Sequence, residues 1–368
     1  MRIGLLSGAY PPAVDGIGDY TRLLARELAR QHEVSVFTGR QDTYAPDGKV
    51  SVAGIFDHSR PAGILNLPAA IEAGPALDRL VVQYNPFGFG PRGFNPWLPL
   101  VLSRLRKHLP LSLMFHETYV PCETAAQFGM RLWQIPQFFF LGRAAASLYA
   151  SCSRWLPAIR FATGRAAIHL PVGSNIDRSD LPRDEARKRL GIGSCALVLG
   201  VFGSAHRSRL LGWISEAASR VASHAPETVL VYIGADGEAL RPLLGDGIRF
   251  MDRGLLPGGA VGDSLMAADL ILAPFVDGLS TRRGSVVAAF QHGIPVVSTS
   301  SAWTDEMLLG QEERLIFLSP VGEGANAFAS LACAVSKQVP LPDSRRAALS
   351  DFYDEHFGWP SIARKLVP

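Results

Sequence analysis

The feature that most constrains this chain is an alternation, along almost its whole length, of short apolar runs with longer segments of helical period. Val-Ser-Val-Phe at 34–37 and Leu-Val-Val-Gln-Tyr at 80–84 are examples of the short runs. Such β-branched and aliphatic runs suit strands that are buried on both faces. Strands that alternate with helices form parallel layers, so the pattern predicts an α/β fold.

The alternation falls into two successive blocks. Strands are predicted at 2–7, 33–38, 79–84 and 111–115, then at 197–202, 229–233, 248–251, 270–273, 295–298 and 315–318. Helices are predicted at about 18–30, 209–223, 260–268 and 285–292. A chain of 368 residues suits two domains, and the polar, turn-rich stretch at 171–182 is the best boundary. We therefore predict domains at 1–172 and 183–350, followed by a final segment at 351–368.

The net charge argues against nucleic-acid binding, and the distribution of apolar residues argues against a membrane-spanning helix. The net charge of +3 is too small to indicate nucleic-acid binding. The most apolar region, at 128–150, is interrupted by arginine, glutamine and proline, so we predict a buried helix pair there and no membrane span. The opening apolar run is too short for a secretory signal. The four scattered cysteines form no Cys-x-x-Cys pair and no metal cluster, which favours a cytoplasmic protein with reduced thiols.

Ligands of open α/β sheets bind beyond the carboxyl ends of the strands, so the loops after strands are the candidate sites. The first such loop carries Gly16 and Gly18 before a helix, where free backbone N–H groups favour an anion. The alternative is that these glycines only permit a tight turn. The loop at 201–209 brings Arg207 and Arg209 to a helix start, where a cation opposes the helix dipole unless an anionic ligand is its neighbour. The alternative there is two solvated arginines.

A third loop, at 273–285, is rich in hydroxyl and guanidinium groups. Its candidate residues are Ser280, Thr281, Arg282, Arg283 and Ser285. These groups lie near another predicted helix N-terminus, and hydroxyls, guanidinium groups and free N–H groups are the usual elements of a diphosphate cradle.

Several segments in order make the chain resemble family 4 glycosyltransferases over nearly its whole length. They are Pro11-Pro12, Gly16-Ile-Gly18-Asp-Tyr-Thr, His116-Glu117, Pro171-Val-Gly-Ser-Asn, Gly293-Ile-Pro-Val-Val and Phe357-Gly-Trp359. The resemblance implies the GT-B arrangement, in which two Rossmann-like domains face each other across a cleft that holds the active site. It also implies that the final helix crosses back from the donor-binding domain to the acceptor-side domain.

The family's activity is retaining, metal-independent sugar transfer from a nucleotide-diphosphate sugar, with no further cofactor. The resemblance implies that Gly16 and Gly18 match the glycine-rich loop over the donor phosphate and that His116 matches a histidine facing the donor sugar. Arg209 falls near the family's phosphate-binding lysine, and Ser204 stands where an arginine often does. The chain has no Asp-x-Asp pair for a divalent ion, which fits an electrostatic clamp made of arginines and backbone dipoles.

One departure from the family pattern concerns its usual pair of glutamates, which would fall here at Ser280 and Ala288. The second glutamate commonly holds the ribose hydroxyls, so ribose recognition must differ, and the segment at 280–285 is a candidate substitute. An inactive relative that binds a sugar, nucleotide or protein therefore stays open, as does a sugar-nucleotide epimerase. A nicotinamide-dependent dehydrogenase is disfavoured because no Gly-x-Gly-x-x-Gly opens a strand–helix unit.

The acceptor class expected from the resemblance is a small molecule, a glycan or a lipid-linked group. The segment at 95–108 bears on this question because Trp97 and several leucines precede a basic cluster, a pattern that suits weak peripheral contact with a membrane surface. The alternative is an ordinary buried helix with a solvated basic end.

Overall fold

The computed structural model describes residues 1–45, 47–245 and 247–367. The chain divides into two compact units. Unit 1 comprises Met1–Pro171 together with the segment from Trp359 onward, and unit 2 comprises Val172–Gly358.

Unit 1 is built on a sheet of seven parallel strands. These are β1 (Arg2–Ser7), β2 (Glu33–Gly39), β3 (Val50–Phe56), β4 (Arg79–Tyr84), β5 (Leu111–Phe115), β6 (Ser147–Ala150) and β7 (Ile168–His169). Their order is β3-β2-β1-β4-β5-β6-β7. The connecting helices are α1 (Gly16–Leu28), α2 (Leu67–Glu72), α3 (Trp97–Leu105), α4 (Ala125–Ala144) and α5 (Leu156–Thr163). Every residue of β5 is buried, as expected for a central strand covered on both faces.

Unit 2 is built on a sheet of six parallel strands. These are β8 (Val198–Phe202), β9 (Val229–Ile233), β10 (Arg249–Asp252), β11 (Leu270–Ala273), β12 (Val296–Ser300) and β13 (Ile316–Pro320), in the order β10-β9-β8-β11-β12-β13. Its helices are α6 (Arg183–Arg189), α7 (Leu211–Ala222), α8 (Gly258–Met266), α9 (Gly284–Gln291), α10 (Gly324–Ser336) and α11 (Asp343–His356). The prediction of an α/β fold with two Rossmann-like halves is confirmed, since both sheets follow the doubly wound strand order.

The last helix, α12 (Trp359–Leu366), packs in unit 1 against α1. The Trp359 ring contacts the Tyr20 ring edge-on at 5.0 Å between centroids. The hydroxyl of Tyr149, in β6, donates to the Lys365 carbonyl at 3.0 Å, and Arg79 Nη1 donates to the Leu366 carbonyl at 3.3 Å. The end of this helix therefore supplies backbone acceptors to two strands of the unit 1 sheet.

The prediction of a buried helix pair at 128–150 is wrong. This region forms most of one long helix, α4, followed by the short strand β6. Gln134 and Gln137 are buried in α4 together with Phe138 and Leu141, whereas Phe128 and Leu132 are exposed. The two glutamines face inward because they hydrogen-bond to backbone groups of neighbouring loops. Within the described part of the chain, no helix is long and apolar enough to span a bilayer.

Candidate functional site

The loops after β8 and β11 meet at the place where the strand order of unit 2 reverses. β8 and β11 are adjacent, but β8 connects onward to β9 on one side and β11 connects to β12 on the other. Such a reversal leaves a crevice at the carboxyl ends of the strands, which is where ligands of doubly wound folds bind. A backbone bridge between Arg209 and Phe275 joins the two loops. Two of the three loops that carry predicted phosphate ligands therefore lie at the switch point.

Arg209 is a buried cation that has no carboxylate partner among the residues the structure describes. Its side chain donates through Nη2 to the Phe202 carbonyl at 2.7 Å and through Nε to the Ser204 carbonyl at 3.2 Å. Nη1 is also buried and has no hydrogen-bond partner among the described residues. Burial, with a smaller contribution from the charge of Arg283, lowers the pKa of Arg209 to about 10, so the group stays cationic at neutral pH.

Arg187, a second buried arginine of unit 2, has the carboxylate partner that a buried charge usually has. Arg187 donates to the Asp269 carboxylate at 2.5 Å and to three backbone carbonyls, and Asp269 also pairs with Arg183. Buried charges are normally paired in this way because an isolated charge in a protein interior is costly. In contrast to Arg187, Arg209 has an unfilled donor and an uncompensated charge, a combination that suits an anionic ligand.

Arg283 lies beside Arg209, because both guanidinium groups stack on the Phe275 ring, at 4.2 and 5.1 Å from its centroid. Arg283 pairs with Asp277 at 2.5 Å and donates to Ser208 Oγ at 3.2 Å, and Arg282 pairs with the other oxygen of Asp277 at 3.2 Å. Three arginines and one aspartate give this cluster a formal charge of +2. The predicted arginines are therefore held in place by Asp277, a residue that the sequence did not single out.

The three predicted hydroxyls of the β11 loop have different surroundings. Thr281 donates both its N–H and its hydroxyl to the buried Asp305 carboxylate, at 2.6 and 3.0 Å. This use of its only hydroxyl proton favours a supporting role for Thr281 over direct donation to a phosphate. Ser280 Oγ is buried and has no partner among the described residues, so it retains a donor. Ser285 lies in the first turn of α9, with its side chain close to Gly203.

The remaining two predicted residues of the β8 loop are more open. Ser204 and Arg207 are exposed, whereas Arg209 is 7% exposed. The preceding Gly203 has a φ of +105°, a conformation that favours glycine, and a Cβ there would lie 3.0 Å from Arg209 Nη2. The tight turn at Gly203 therefore leaves room for the Arg209 guanidinium against the strand end.

In unit 1 the predicted histidine lies just beyond β5, next to β4. His116 is buried, its Nε2 lies 2.8 Å from Gln83 Oε1, and its ring contacts the Tyr20 ring edge-on at 4.9 Å. With Gln83 oriented in this way, Nε2 carries the proton and Nδ1 keeps its lone pair. Burial lowers the pKa of His116 to about 3, so the imidazole is neutral at physiological pH. It can therefore act as a dipole or a hydrogen-bonding group, but not as an imidazolium.

The glycine loop of unit 1 differs from the open anion site that we expected. Asp15 caps α1, and its Oδ1 accepts from the N–H groups of Ile17 at 3.0 Å and Gly18 at 2.7 Å. A Cβ on Gly18 would approach the Ala9 backbone at 3.2 Å, so close packing accounts for that glycine. A carboxylate already occupies the helix N-terminus, which favours the turn interpretation of Gly18. Phosphate contact by Gly16 and Gly18 stays a prediction.

Within the described residues, no group of three or more His, Cys, Asp or Glu side chains is arranged to hold a metal ion. The residues at the unit 2 switch point instead offer hydrogen-bond donors and positive charge.

Comparison with known proteins adds information on the fold. The chain matches no protein-family model and no curated protein sequence. Among solved structures it is similar to WaaG, a glycosyltransferase involved in lipopolysaccharide biosynthesis, with a TM-score of 0.68 and 19% identity over 99% of each chain. It is also similar to HepE of Anabaena in complex with UDP and glucose, with a TM-score of 0.66 and 14% identity over 99% of this chain and 98% of that one.

A third similar structure is named as an epimerase rather than as a glycosyltransferase. It is a putative UDP-N-acetylglucosamine 2-epimerase from Listeria monocytogenes, with a TM-score of 0.61 and 14% identity over 100% of this chain and 94% of the other. At these identities the likeness shows the fold, which is that of GT-B glycosyltransferases.

Proposed function

We propose that the chain is a glycosyltransferase that moves a sugar from a nucleotide-diphosphate sugar to an acceptor, with retention of anomeric configuration. The observation that carries this proposal is Arg209, a buried cation with an unfilled donor and no carboxylate partner among the described residues, at the switch point of unit 2. A diphosphate supplies the anionic oxygens that such a donor lacks. UDP in the HepE complex supports a nucleotide of this kind.

In this proposal the unit 2 loops stabilise the leaving group. Charge grows on the diphosphate as the bond to the sugar breaks, and preorganised donors stabilise that charge more than they stabilise the ground state. Arg209 and Arg283 supply the guanidinium groups, and Ser280 Oγ is a further buried donor. The role proposed for His116 is a hydrogen bond or dipole contact with the donor sugar. Arg207, Ser204, Arg282 and Ser285 line the same loops as proposed donor contacts.

Nucleotide release tests the proposal directly. The full chain, incubated with UDP-sugars and other nucleotide sugars, should release the nucleoside diphosphate and should do so faster when a suitable acceptor is present. The product should be a glycosylated acceptor with the anomeric configuration of the donor. Binding of a nucleotide sugar without any turnover, across donors and acceptors, would instead favour an inactive binding protein.

The epimerase is a second candidate, favoured by the similar Listeria structure. It differs from a transferase in its products, because epimerisation changes the configuration of the sugar and needs no acceptor. A new sugar epimer that appears in the absence of acceptor would favour this candidate. A glycosylated acceptor would exclude it as the main activity.

We expect turnover to persist in excess EDTA. The switch-point cluster has a formal charge of +2, and arginines of this kind stabilise a diphosphate leaving group without a divalent ion. The check is a comparison of initial rates with EDTA, without EDTA, and with EDTA followed by excess magnesium or manganese. Turnover that is lost on chelation and restored by either metal would contradict metal independence.

A further inference from the structure

Unit 1 exposes an apolar stripe along α4. Phe128, Leu132 and Ile135 lie on one side of the helix, at spacings of four and three residues, and are exposed, with Phe128 at 61% and Leu132 at 68%. Phe140 is also exposed and flanks this stripe. The opposite side of the helix is buried although it includes two glutamines. The buried side also includes Phe138 and Leu141, so the helix has apolar residues on both sides, whereas an ordinary amphipathic helix keeps its apolar residues on the side that faces the core. The exposed stripe can therefore contact a partner molecule or surface outside unit 1.

The stripe continues onto the segment that precedes and begins α3. Phe94, Trp97 and Leu100 are exposed, and the Phe94 ring contacts Trp133 of α4 edge-on at 6.1 Å. Trp133 Nε1 also donates to the Arg92 carbonyl at 3.1 Å, which fixes this segment against α4. We call the combined surface the aromatic face, and it consists of Phe94, Trp97, Leu100, Phe128, Leu132, Ile135 and Phe140.

Within the two segments that carry the aromatic face, aspartate and glutamate are absent, although the exposed Glu123 lies just before α4. Residues 91–108 and 125–144 contain six basic side chains and no aspartate or glutamate. The basic residues are Arg92, Arg104, Arg106, Lys107, Arg131 and Arg143. Arg106 donates to the Arg143 carbonyl at 2.8 Å, so the basic end of α3 lies against the end of α4. The chain as a whole has 36 basic and 33 acidic residues, so the absence of carboxylates here is local.

We propose that the aromatic face docks on a bilayer surface that carries anionic lipid headgroups. Aromatic and aliphatic side chains that lie beside arginine and lysine suit the boundary between headgroups and acyl chains. Anionic headgroups supply the negative charge that matches the six cations. Arg131 and Arg143 also stack on Tyr119 and Phe139, at 5.0 and 5.1 Å from the ring centroids, so cations and rings share one surface. The docking does not depend on the proposed transferase activity.

The sequence pattern at 95–108 also suggested contact with a membrane surface, but partly because of residues that the structure shows to be buried. Two of the four leucines that suggested it, Leu98 and Leu102, are core residues of unit 1, and Trp97 and Leu100 are the exposed apolar residues of α3. The main contribution comes from α4, whose exposed side was predicted to be buried. The proposal therefore rests on the exposed face that both helices form.

Vesicle sedimentation of the full chain tests the proposal. We expect binding to vesicles of phosphatidylcholine mixed with phosphatidylglycerol at low salt, and weak binding to phosphatidylcholine alone or at high salt. Replacing both Phe128 and Leu132 with glutamine should lower the partition coefficient by about tenfold or more. The matched control replaces Leu243 and Leu255, which are 48% and 81% exposed and belong to unit 2, and should bind as the parent does.

A second pair of variants separates charge from apolar contact. Arg104→Gln with Lys107→Gln should weaken binding by roughly fivefold for each charge removed, and the loss should shrink as salt rises. Lys188→Gln with Lys337→Gln, which removes two exposed cations of unit 2, should leave vesicle binding unchanged. Failure of the parent to bind anionic vesicles at low salt, or equal binding by the Phe128 and Leu132 variant, would overturn the proposal. So would concentration-dependent self-association that this variant abolishes, since the face would then be a contact between copies of the chain.

Discussion

Replacing Arg209 with methionine should weaken binding of the nucleoside diphosphate by at least about a hundredfold and leave binding of the nucleoside nearly unchanged. The reason is that Arg209 brings a buried, uncompensated charge and an unfilled donor to the proposed diphosphate site. Loss of one preorganised donor to developing charge costs about 2.7–4 kcal/mol in the transition state, so turnover should fall by roughly a hundred- to a thousandfold. Calorimetry with the nucleoside diphosphate and with the nucleoside tests the predicted change in binding, and initial-rate measurements test the predicted fall in turnover.

Folding controls separate this effect from simple damage. Arg209→Met removes a cation for which the described part of the chain supplies no carboxylate, whereas Arg187→Met takes one of two arginines from the buried Asp269. Arg187→Met should therefore lower the melting temperature more than Arg209→Met does. Arg241→Ala, which removes an exposed pair with Glu238, should alter neither binding nor turnover.

A companion variant, Arg283→Ala, tests whether the loop after β11 takes part. Because Arg283 and Arg209 stack on the same ring, loss of either should weaken diphosphate binding more than nucleoside binding. If both variants bind the nucleoside diphosphate as the parent does, these two loops are not the phosphate site.

Replacing His116 with phenylalanine should lower turnover by about a hundredfold and change nucleotide affinity little. Phenylalanine keeps a ring against Tyr20 but removes both nitrogens, including the one that faces Gln83. Loss of turnover at constant affinity identifies an interaction made in the transition state rather than in ground-state binding. A His116→Phe protein with full turnover would assign the histidine to a structural role.

The same substitution has a second, pH-dependent readout. Burial lowers the pKa of His116 to about 3 from an ordinary value of 6.5, so between these values the unfolded chain binds a proton that the folded chain does not. This residue therefore reduces stability as pH falls from about 6.5 towards 3. The parent should lose melting temperature more steeply than His116→Phe between pH 7 and pH 4. Because the imidazole is already neutral above this range, the limbs of the pH–rate profile near neutrality should not shift.

Most of the fold could be predicted from the sequence because central strands of parallel sheets are continuous apolar runs. β1, β4, β5, β9 and β11 have the predicted bounds. The strands that were missed are β3, β6 and β7. β3 alternates exposed and part-buried residues over most of its length, β7 has only two residues, and β6 follows directly on the apolar α4. None of the three is an isolated, continuously buried apolar run of the kind that identified the other strands.

The residues of the candidate site could be predicted only where they lie in loops that directly follow a predicted strand. The loops after β8 and β11 follow strands, so their residues could be named in advance. Asp277, Asp305 and Gln83 could not be named, because their importance comes from hydrogen bonds that form after folding. The inward-facing glutamines of α4 also depend on acceptors in distant loops, which is why its apolar content led to the prediction of a buried helix pair.

The return of α12 to unit 1 has a consequence for the order in which the protein is synthesised. The residues of unit 2 leave the ribosome before α12 does, so unit 2 can fold while unit 1 still lacks its last helix. Until α12 arrives, Tyr149 and Arg79 lack their carbonyl acceptors and the outer face of α1 is uncovered. Unit 1 therefore holds an incomplete surface throughout translation of unit 2, and a stalled chain that ends before Trp359 exposes that surface to chaperones and proteases.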